Sequence, residues 1–140
     1  MSLIDTFSIS ASGLTAQRIR LQAISSNMAN VQTTRTPEGG PYRRRVPVFE
    51  TQSNSFGDML EKNLARVQVT DIIEPTGAGN RVFDPDHPDS DQDGYVDFPN
   101  VNILEEMVDM MNTSRTYEAN TNVVDSTKQM ATKALELGRL

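Results

Sequence analysis

The sequence predicts a mainly α-helical protein in which two long terminal helices form a coiled-coil-like layer and a small antiparallel β unit lies between them. Three observations predict this arrangement. Residues 102–137 contain neither Gly nor Pro, and residues 3–31 contain a single Gly, Gly13, and no Pro. The part between them alternates turn residues with short runs of β-branched and aromatic residues. The predicted regions are therefore 1–34, 35–100 and 101–140.

The N-terminal region is predicted to be a helix over residues 3–31. Its apolar residues Phe7, Leu14, Leu21 and Met28 recur every seven positions, and Ile24 lies beside this row. A seven-residue apolar repeat is typical of helices that pack against other helices. We therefore expect this face to contact a partner helix.

The middle region is predicted to hold four short strands. They are expected at residues 42–50, 67–73, 81–83 and 95–98, where Val, Ile, Phe and Tyr are common and turn residues follow. Residues 51–64 fit two interpretations, because Phe56, Leu60 and Leu64 have helical spacing whereas Gly57 and the Ser/Asn-rich start favour a linker. A unit this small leaves little core for an enzyme pocket, so no enzyme activity is expected.

The C-terminal region is predicted to be one helix from Asn102 to Leu137. Asn102 with Glu105 has capping-box spacing, and Gly138 is a suitable stop. At about 1.5 Å per residue the helix would be roughly 54 Å long. A narrow apolar stripe on so long a helix needs another helix beside it, which predicts assembly with other chains.

The predicted assembly interface combines the apolar rows of both helices. It consists of Phe7, Leu14, Leu21, Ile24, Met28, Ile103, Met107, Met110, Tyr117, Val124, Met130 and Leu137. Met is adaptable and is common on surfaces that must fit several different neighbours. The concentration of Met in the C-terminal helix therefore favours a contact surface over a simple core.

Composition excludes several classes of function. The net charge of −6 and the single basic run Arg43–Arg45 do not suit nucleic-acid binding, which rewards many phosphate contacts. The three arginines are expected in a solvated segment that meets neighbouring subunits. With no cysteine there is no disulfide framework, and no cleaved signal peptide or membrane span is expected.

The loop from Asp89 to Asp97 resembles the start of a calcium-binding loop. Asp89, Asp91, Asp93 and Asp97 supply oxygen at positions 1, 3, 5 and 9, and a glycine occupies position 6. Position 12 is Asn100, where a calcium loop needs a carboxylate. The two interpretations are a calcium site and a turn-rich acidic loop, and the missing carboxylate favours the loop.

Several stretches carry a family resemblance. Residues 12–17, 26–30 and 33–34 resemble the N-terminal signature of bacterial flagellar rod, hook and hook-associated proteins. Residues 37–44, 87–89, 94–96, 99–101, 106–107 and 114–120 are similar to the flagellar basal-body rod proteins, especially those of the proximal rod. The match is nearly full length.

The resemblance implies a structural subunit of the flagellar basal-body rod, the drive shaft for motility. It implies export through the flagellar type III apparatus, a periplasm-spanning location, and no enzyme activity, cofactor or metal. The implied partners are other rod proteins and the inner-membrane ring and export gate region, in a helical homo- and hetero-oligomeric assembly. Another axial protein of the rod and hook family, or a calcium-binding interaction module, is the alternative.

Overall fold

The computed structural model describes residues 3–52, 66–75, 77 and 79–138. The elements follow the order α1 (Leu3–Ala29), β1 (Val46–Gln52), β2 (Arg66–Ile73), β3 (Asn80–Phe83), β4 (Tyr95–Phe98) and α2 (Ile103–Leu137). The mainly helical prediction and the position of the β region between the helices are confirmed. Most of residues 51–64, for which a helix and a linker were both considered, lie outside the described residues.

Helix α1 ends two residues before the predicted boundary. Asn30 donates its backbone N–H and its side-chain amide to the carbonyl of Ser26, at 3.1 and 2.9 Å. The chain then turns, because the Thr33 N–H bonds the Asn30 carbonyl and the Tyr42 N–H bonds the Thr33 carbonyl. Local side-chain bonding of this kind competes with helix continuation.

Helix α2 has the predicted start and length. Asn102 is extended, and its Oδ1 accepts the Leu104 N–H at 3.1 Å while its amide donates to Glu105 at 3.1 Å. The predicted cap is thus confirmed, although Glu105 contacts the Asn102 side chain and not its backbone. Gly138 follows the helix with φ −78°, so the stop there does not use the left-handed conformation that glycine permits.

The β region forms two separate sheets, not the single unit that the sequence predicted. β1 pairs antiparallel with β2, from Val46 opposite Ile73 to Gln52 opposite Arg66, with an irregularity between Val48 and Phe49. β3 pairs antiparallel with β4, from Asn80 opposite Phe98 to Phe83 opposite Tyr95. The first sheet also contacts α1, whereas β3 and β4 contact only each other among the described helices and strands.

The first strand begins four residues later than predicted. Tyr42, Arg44 and Arg45, which belonged to the predicted strand, direct their polar groups toward α1 and α2. Those contacts take the segment out of the β1–β2 ladder. The strand therefore starts at Val46, which is the first residue to pair with β2.

The core is small and lies where α1 contacts α2 and the first sheet. Its buried apolar residues in the described chain are Ala16, Ala23, Ile24 and Tyr42, whereas Val96 is buried separately, in β4 of the second sheet. The first sheet packs on α1, where the Val67 N–H donates to Ser12 at 3.3 Å and Arg20 lies 4.7 Å from the ring centre of Phe49. The prediction of a thin core agrees with this arrangement.

Candidate assembly surface

The two helices form an antiparallel pair within the chain. The side-chain amide of Asn27 donates to Glu106. Gly13, fourteen residues before Asn27, faces Asn120, fourteen residues after Glu106, so the two helices run in opposite directions. A Cβ at Gly13 would lie 3.4 Å from the Asn120 amide nitrogen, so the helices approach closely there. Gly13, which weakens the helix locally, is therefore placed at a close contact.

The structure divides the predicted interface into an inner and an outer group. The inner group is buried or half-buried and consists of Phe7, Leu14, Leu21, Ile24, Met28, Met110 and Val124. The outer group is exposed on α2 and consists of Ile103, Met107, Tyr117, Met130 and Leu137. The predicted residues thus do not form one surface.

The start of α2 carries an apolar stripe that sequence analysis found only in part. Leu104, Met107, Val108 and Met111 are spaced as one face of a helix, and their exposed fractions are 69%, 47%, 50% and 56%. We call these four residues the α2 outer row. The 3/4 spacing of these four residues is visible in the sequence, but the predicted interface includes only Met107 among them.

The inner face of α2 is more polar than the sequence analysis assumed. Glu106, Thr113 and Thr127 are buried at seven-residue steps along the row, and Asn120 completes the series. The Thr113 and Thr127 hydroxyls donate to carbonyls of their own helix, those of Asp109 and Val123. Periodicity searches that count only apolar residues miss such a row.

Glu106 lies at the centre of a buried polar cluster that joins three segments. Its Oε1 accepts from Nε and Nη2 of Arg44, both at 2.7 Å, and its Oε2 accepts from Asn27 at 3.2 Å. Asn27 Oδ1 accepts from Tyr42 and from the Arg45 N–H, at 3.0 and 2.8 Å, and Asn27 donates to the Arg45 carbonyl at 3.0 Å. We call Asn27, Tyr42, Arg44 and Glu106 the Glu106 cluster.

The arginine run therefore does not behave as one solvated segment. Arg44 is bound to Glu106 and lies 4.0 Å from Asp109, and Arg45 lies 3.5 Å from Glu74. Only Arg43 and Arg45 of the run are classed as exposed, whereas Arg44 is half-buried. The Arg44 contact joins residues 62 positions apart, so no local sequence signal could have revealed it.

The acidic loop binds basic and polar groups of the same chain. Asp89 accepts from the Thr34 hydroxyl at 2.8 Å and lies 3.5 Å from Arg35, while Asp91 accepts from Arg81 at 2.9 Å. Asp97 lies 3.9 Å from the same arginine, Arg81. In the part of the chain that the structure describes, no three His, Cys, Asp or Glu side chains are placed to hold a metal ion.

The turn of the loop is built around Gly94. Its φ is +77°, and a Cβ there would lie 2.9 Å from the Phe83 ring. The glycine at position 6 of the calcium-like pattern therefore serves the close approach of the loop to β3. The loop is held by the Asp91 N–H to Tyr95 carbonyl bond at 2.8 Å.

Comparison with known proteins identifies the family. Residues 7–35 match the family model of the flagella basal body rod protein, and residues 92–137 match that of the flagellar basal body rod FlgEFG protein C-terminal. The flagellar basal-body rod protein FlgC of Borreliella burgdorferi is 43% identical, with 98% of each chain covered. That of Bacillus subtilis is 40% identical, covering 99% of this chain and 100% of the relative.

The chain belongs to the FlgC family of flagellar basal-body rod proteins. The family resemblance found in the sequence is thereby confirmed, and so is the prediction of a structural subunit of the flagellar rod. The family is structural, which also confirms the prediction of a protein that is not an enzyme. No helix among the described residues is long and apolar enough to cross a membrane.

Proposed function

We propose that the protein is a subunit of the proximal rod that assembles through both terminal helices. The observation that carries this proposal is the α2 outer row, an apolar stripe that the chain's own α1 leaves uncovered. The rod family supplies the assembly in which such a stripe would be buried. In that assembly α1 and α2 together form part of a coiled-coil-like helical layer.

The outer row suits contact with helices of neighbouring subunits. Burying each of these side chains is worth about 1.5 to 3 kcal/mol, so four of them supply a substantial part of one helix contact. Met107 and Met111 add flexible side chains that fit non-identical surfaces. A rod built from several related subunits requires this adaptability.

The proposed partners are other rod proteins and the inner-membrane ring and export gate region. Within the proposed division of the chain, residues 1–34 and 101–140 belong to the helical layer and residues 35–100 to the smaller β-rich region. Export through the flagellar type III apparatus, without a cleaved signal peptide, would bring the chain to a rod that crosses the periplasm. The assembly then transmits rotation as part of the drive shaft.

The test places one charge on the outer row. Met107→Asp should abolish swimming and remove the protein from purified basal bodies, because a buried unpaired charge is costly at an interface. Asn122→Asp adds the same charge at another exposed position of α2 and should leave motility unchanged. Circular dichroism of both purified variants should match the wild type, since neither position supports the fold.

A motile Met107→Asp strain with normal basal bodies would overturn the proposal that this stripe is an assembly surface. Loss of motility in both variants would show that added charge anywhere on α2 is harmful. That result would also contradict a specific role for the outer row.

A further inference from the structure

The apolar rows of α1 and α2 do not define a unique alignment of the two helices. Phe7, Leu14, Leu21 and Met28 repeat every seven residues. A slip of seven residues, about 10.5 Å, therefore sets apolar residues against apolar residues again. The hydroxyls of Thr113 and Thr127 donate to carbonyls of α2 itself, so a slip would not change their hydrogen bonds.

The Glu106 cluster, by contrast, is complete in only one alignment. Glu106 is 1% exposed and receives two bonds from Arg44 and one from Asn27. In one slipped alignment Glu106 would lie beyond the end of α1, opposite Thr34. In the other it would face Arg20 but lose both Arg44 and Asn27.

We propose that the Glu106 cluster sets the register of α2 against α1. A buried polar group that is satisfied in a single arrangement adds specificity even where it adds little stability. Register also fixes which residues of α2 face outward, so the cluster determines how the outer row is presented. This inference stands on contacts within one chain and does not depend on the proposed assembly.

The Arg44 contact extends the register to the β region. Arg44 directly precedes Arg45, whose N–H and carbonyl both bond Asn27, and β1 starts at the next residue. The start of the first sheet, the end of α1 and the first turns of α2 therefore meet at one group of side chains. Their mutual placement follows from a single set of hydrogen bonds.

Disulfide cross-linking of the purified full chain tests the proposal, because the natural sequence has no cysteine. The pair Gly13→Cys/Asn120→Cys reports the observed register. The pairs Gly13→Cys/Thr113→Cys and Gly13→Cys/Thr127→Cys report slips of one heptad in each direction. With the cluster intact, the first pair should cross-link at least about tenfold more than either slipped pair.

A single and a double variant of the cluster are expected to differ in helix content and in register. Arg44→Met leaves the buried Glu106 carboxylate without its cationic partner, so the observed-register cross-link and helix content should fall. Adding Glu106→Met should restore helix content, because apolar residues replace the ion pair. The double variant should then form slipped cross-links in amounts comparable with the observed one. Thr127→Val, in the same row, is the matched control for the Asn120 reporter and should keep the register.

Three results would overturn the proposal. The first is a failure of the Gly13→Cys/Asn120→Cys pair to cross-link when the cluster is intact. The second is a double variant that keeps only the observed register, which would assign register to the apolar rows or to the connection through β4. The third is a double variant that does not recover its helices, which would make the cluster a source of stability and not of register.

Discussion

At the scale of single residues, buried polar groups distinguish this chain from an ordinary amphipathic pair of helices. Asn27 uses both amide hydrogens and accepts two bonds at its carbonyl oxygen, and it is 2% exposed. A fully used amide of this kind is expensive to remove, because each partner loses its bond inside the protein. The other positions that require one particular residue type are glycines at close approaches.

Asn27→Ala is expected to lower the free energy of unfolding by at least about 2 kcal/mol, because several buried partners lose their hydrogen bonds. Urea unfolding followed by circular dichroism measures the change. Asn122→Ala, an exposed position on α2, is the control and should stay within about 0.5 kcal/mol of the wild type. Equal effects at the two positions would contradict the central position of Asn27.

Gly94→Ala is expected to destabilise the protein more than Gly39→Ala. Both glycines have positive φ, at 77° and 90°, so each substitution costs about 1 kcal/mol of backbone strain. A Cβ at Gly94 would also meet the Phe83 ring at 2.9 Å, whereas Gly39 has nothing within 4 Å. Thermal unfolding of the two variants isolates the Phe83 contact, and identical melting temperatures would argue against it.

At the scale of elements, each helix has two faces with different tasks. The inner face of α2 combines half-buried Met110 and Val124 with buried Glu106, Thr113 and Thr127, while the outer row is apolar and exposed. The inner face therefore mixes apolar and polar residues, and the exposed stripe is apolar, unlike a surface helix whose exposed face is polar. The acidic loop likewise has a task within the chain, since it holds Arg81 and Thr34.

Val124→Asp should differ from Met107→Asp in a measurable way. Val124 is half-buried on the inner face, so an added charge there should weaken the α1–α2 pair itself. The variant should lose helical signal at lower temperature than the wild type, as well as losing motility. An unchanged melting curve for Val124→Asp would show that the inner face contributes little to the fold.

Calcium is expected to produce no binding heat in titration calorimetry up to millimolar concentration. Asp89 and Asp91 are already bound by basic or hydroxyl groups, and Asn100 occupies the position where a calcium loop needs a carboxylate. Arg81→Ala frees Asp91 and is the informative comparison. Saturable heat in the unaltered protein would support the calcium hypothesis.

At the scale of the whole molecule, the C-terminal end of α2 extends beyond the part of α1 that it packs against. From Thr132 to Leu137 every residue is exposed, with Leu135 and Leu137 at 72% and 74%. Continuing the antiparallel steps, Leu3 lies opposite position 130 of α2. The last two turns of α2 thus have no α1 residue of the described chain beside them.

Hydrogen exchange should therefore be faster for the amides of residues 132–137 than for those around Thr113 in the isolated protein. Helical ends without packed neighbours open with little free energy. The same amides should become protected in assembled rods if the helical layer covers them. Uniform protection along α2 in the isolated protein would contradict this expectation.

The sequence by itself determined the element types and the family. The uninterrupted stretch before Gly138 predicted α2, the Asn102 cap marked its start, and the signature residues identified the rod family. These signals are local, because propensity, capping and periodicity act over a few residues. They could be read without knowing which segments meet.

Only the tertiary structure decided the faces, the two sheets and the Glu106 cluster. Arg44 and Glu106 are 62 positions apart, and a charge run gives no sign that its middle member is bound inside the protein. The seven-residue rows likewise predicted packing but not which row faces α1. Long-range pairing and burial depend on which distant segments meet. Propensity, capping and periodicity act over a few residues and therefore do not reveal it.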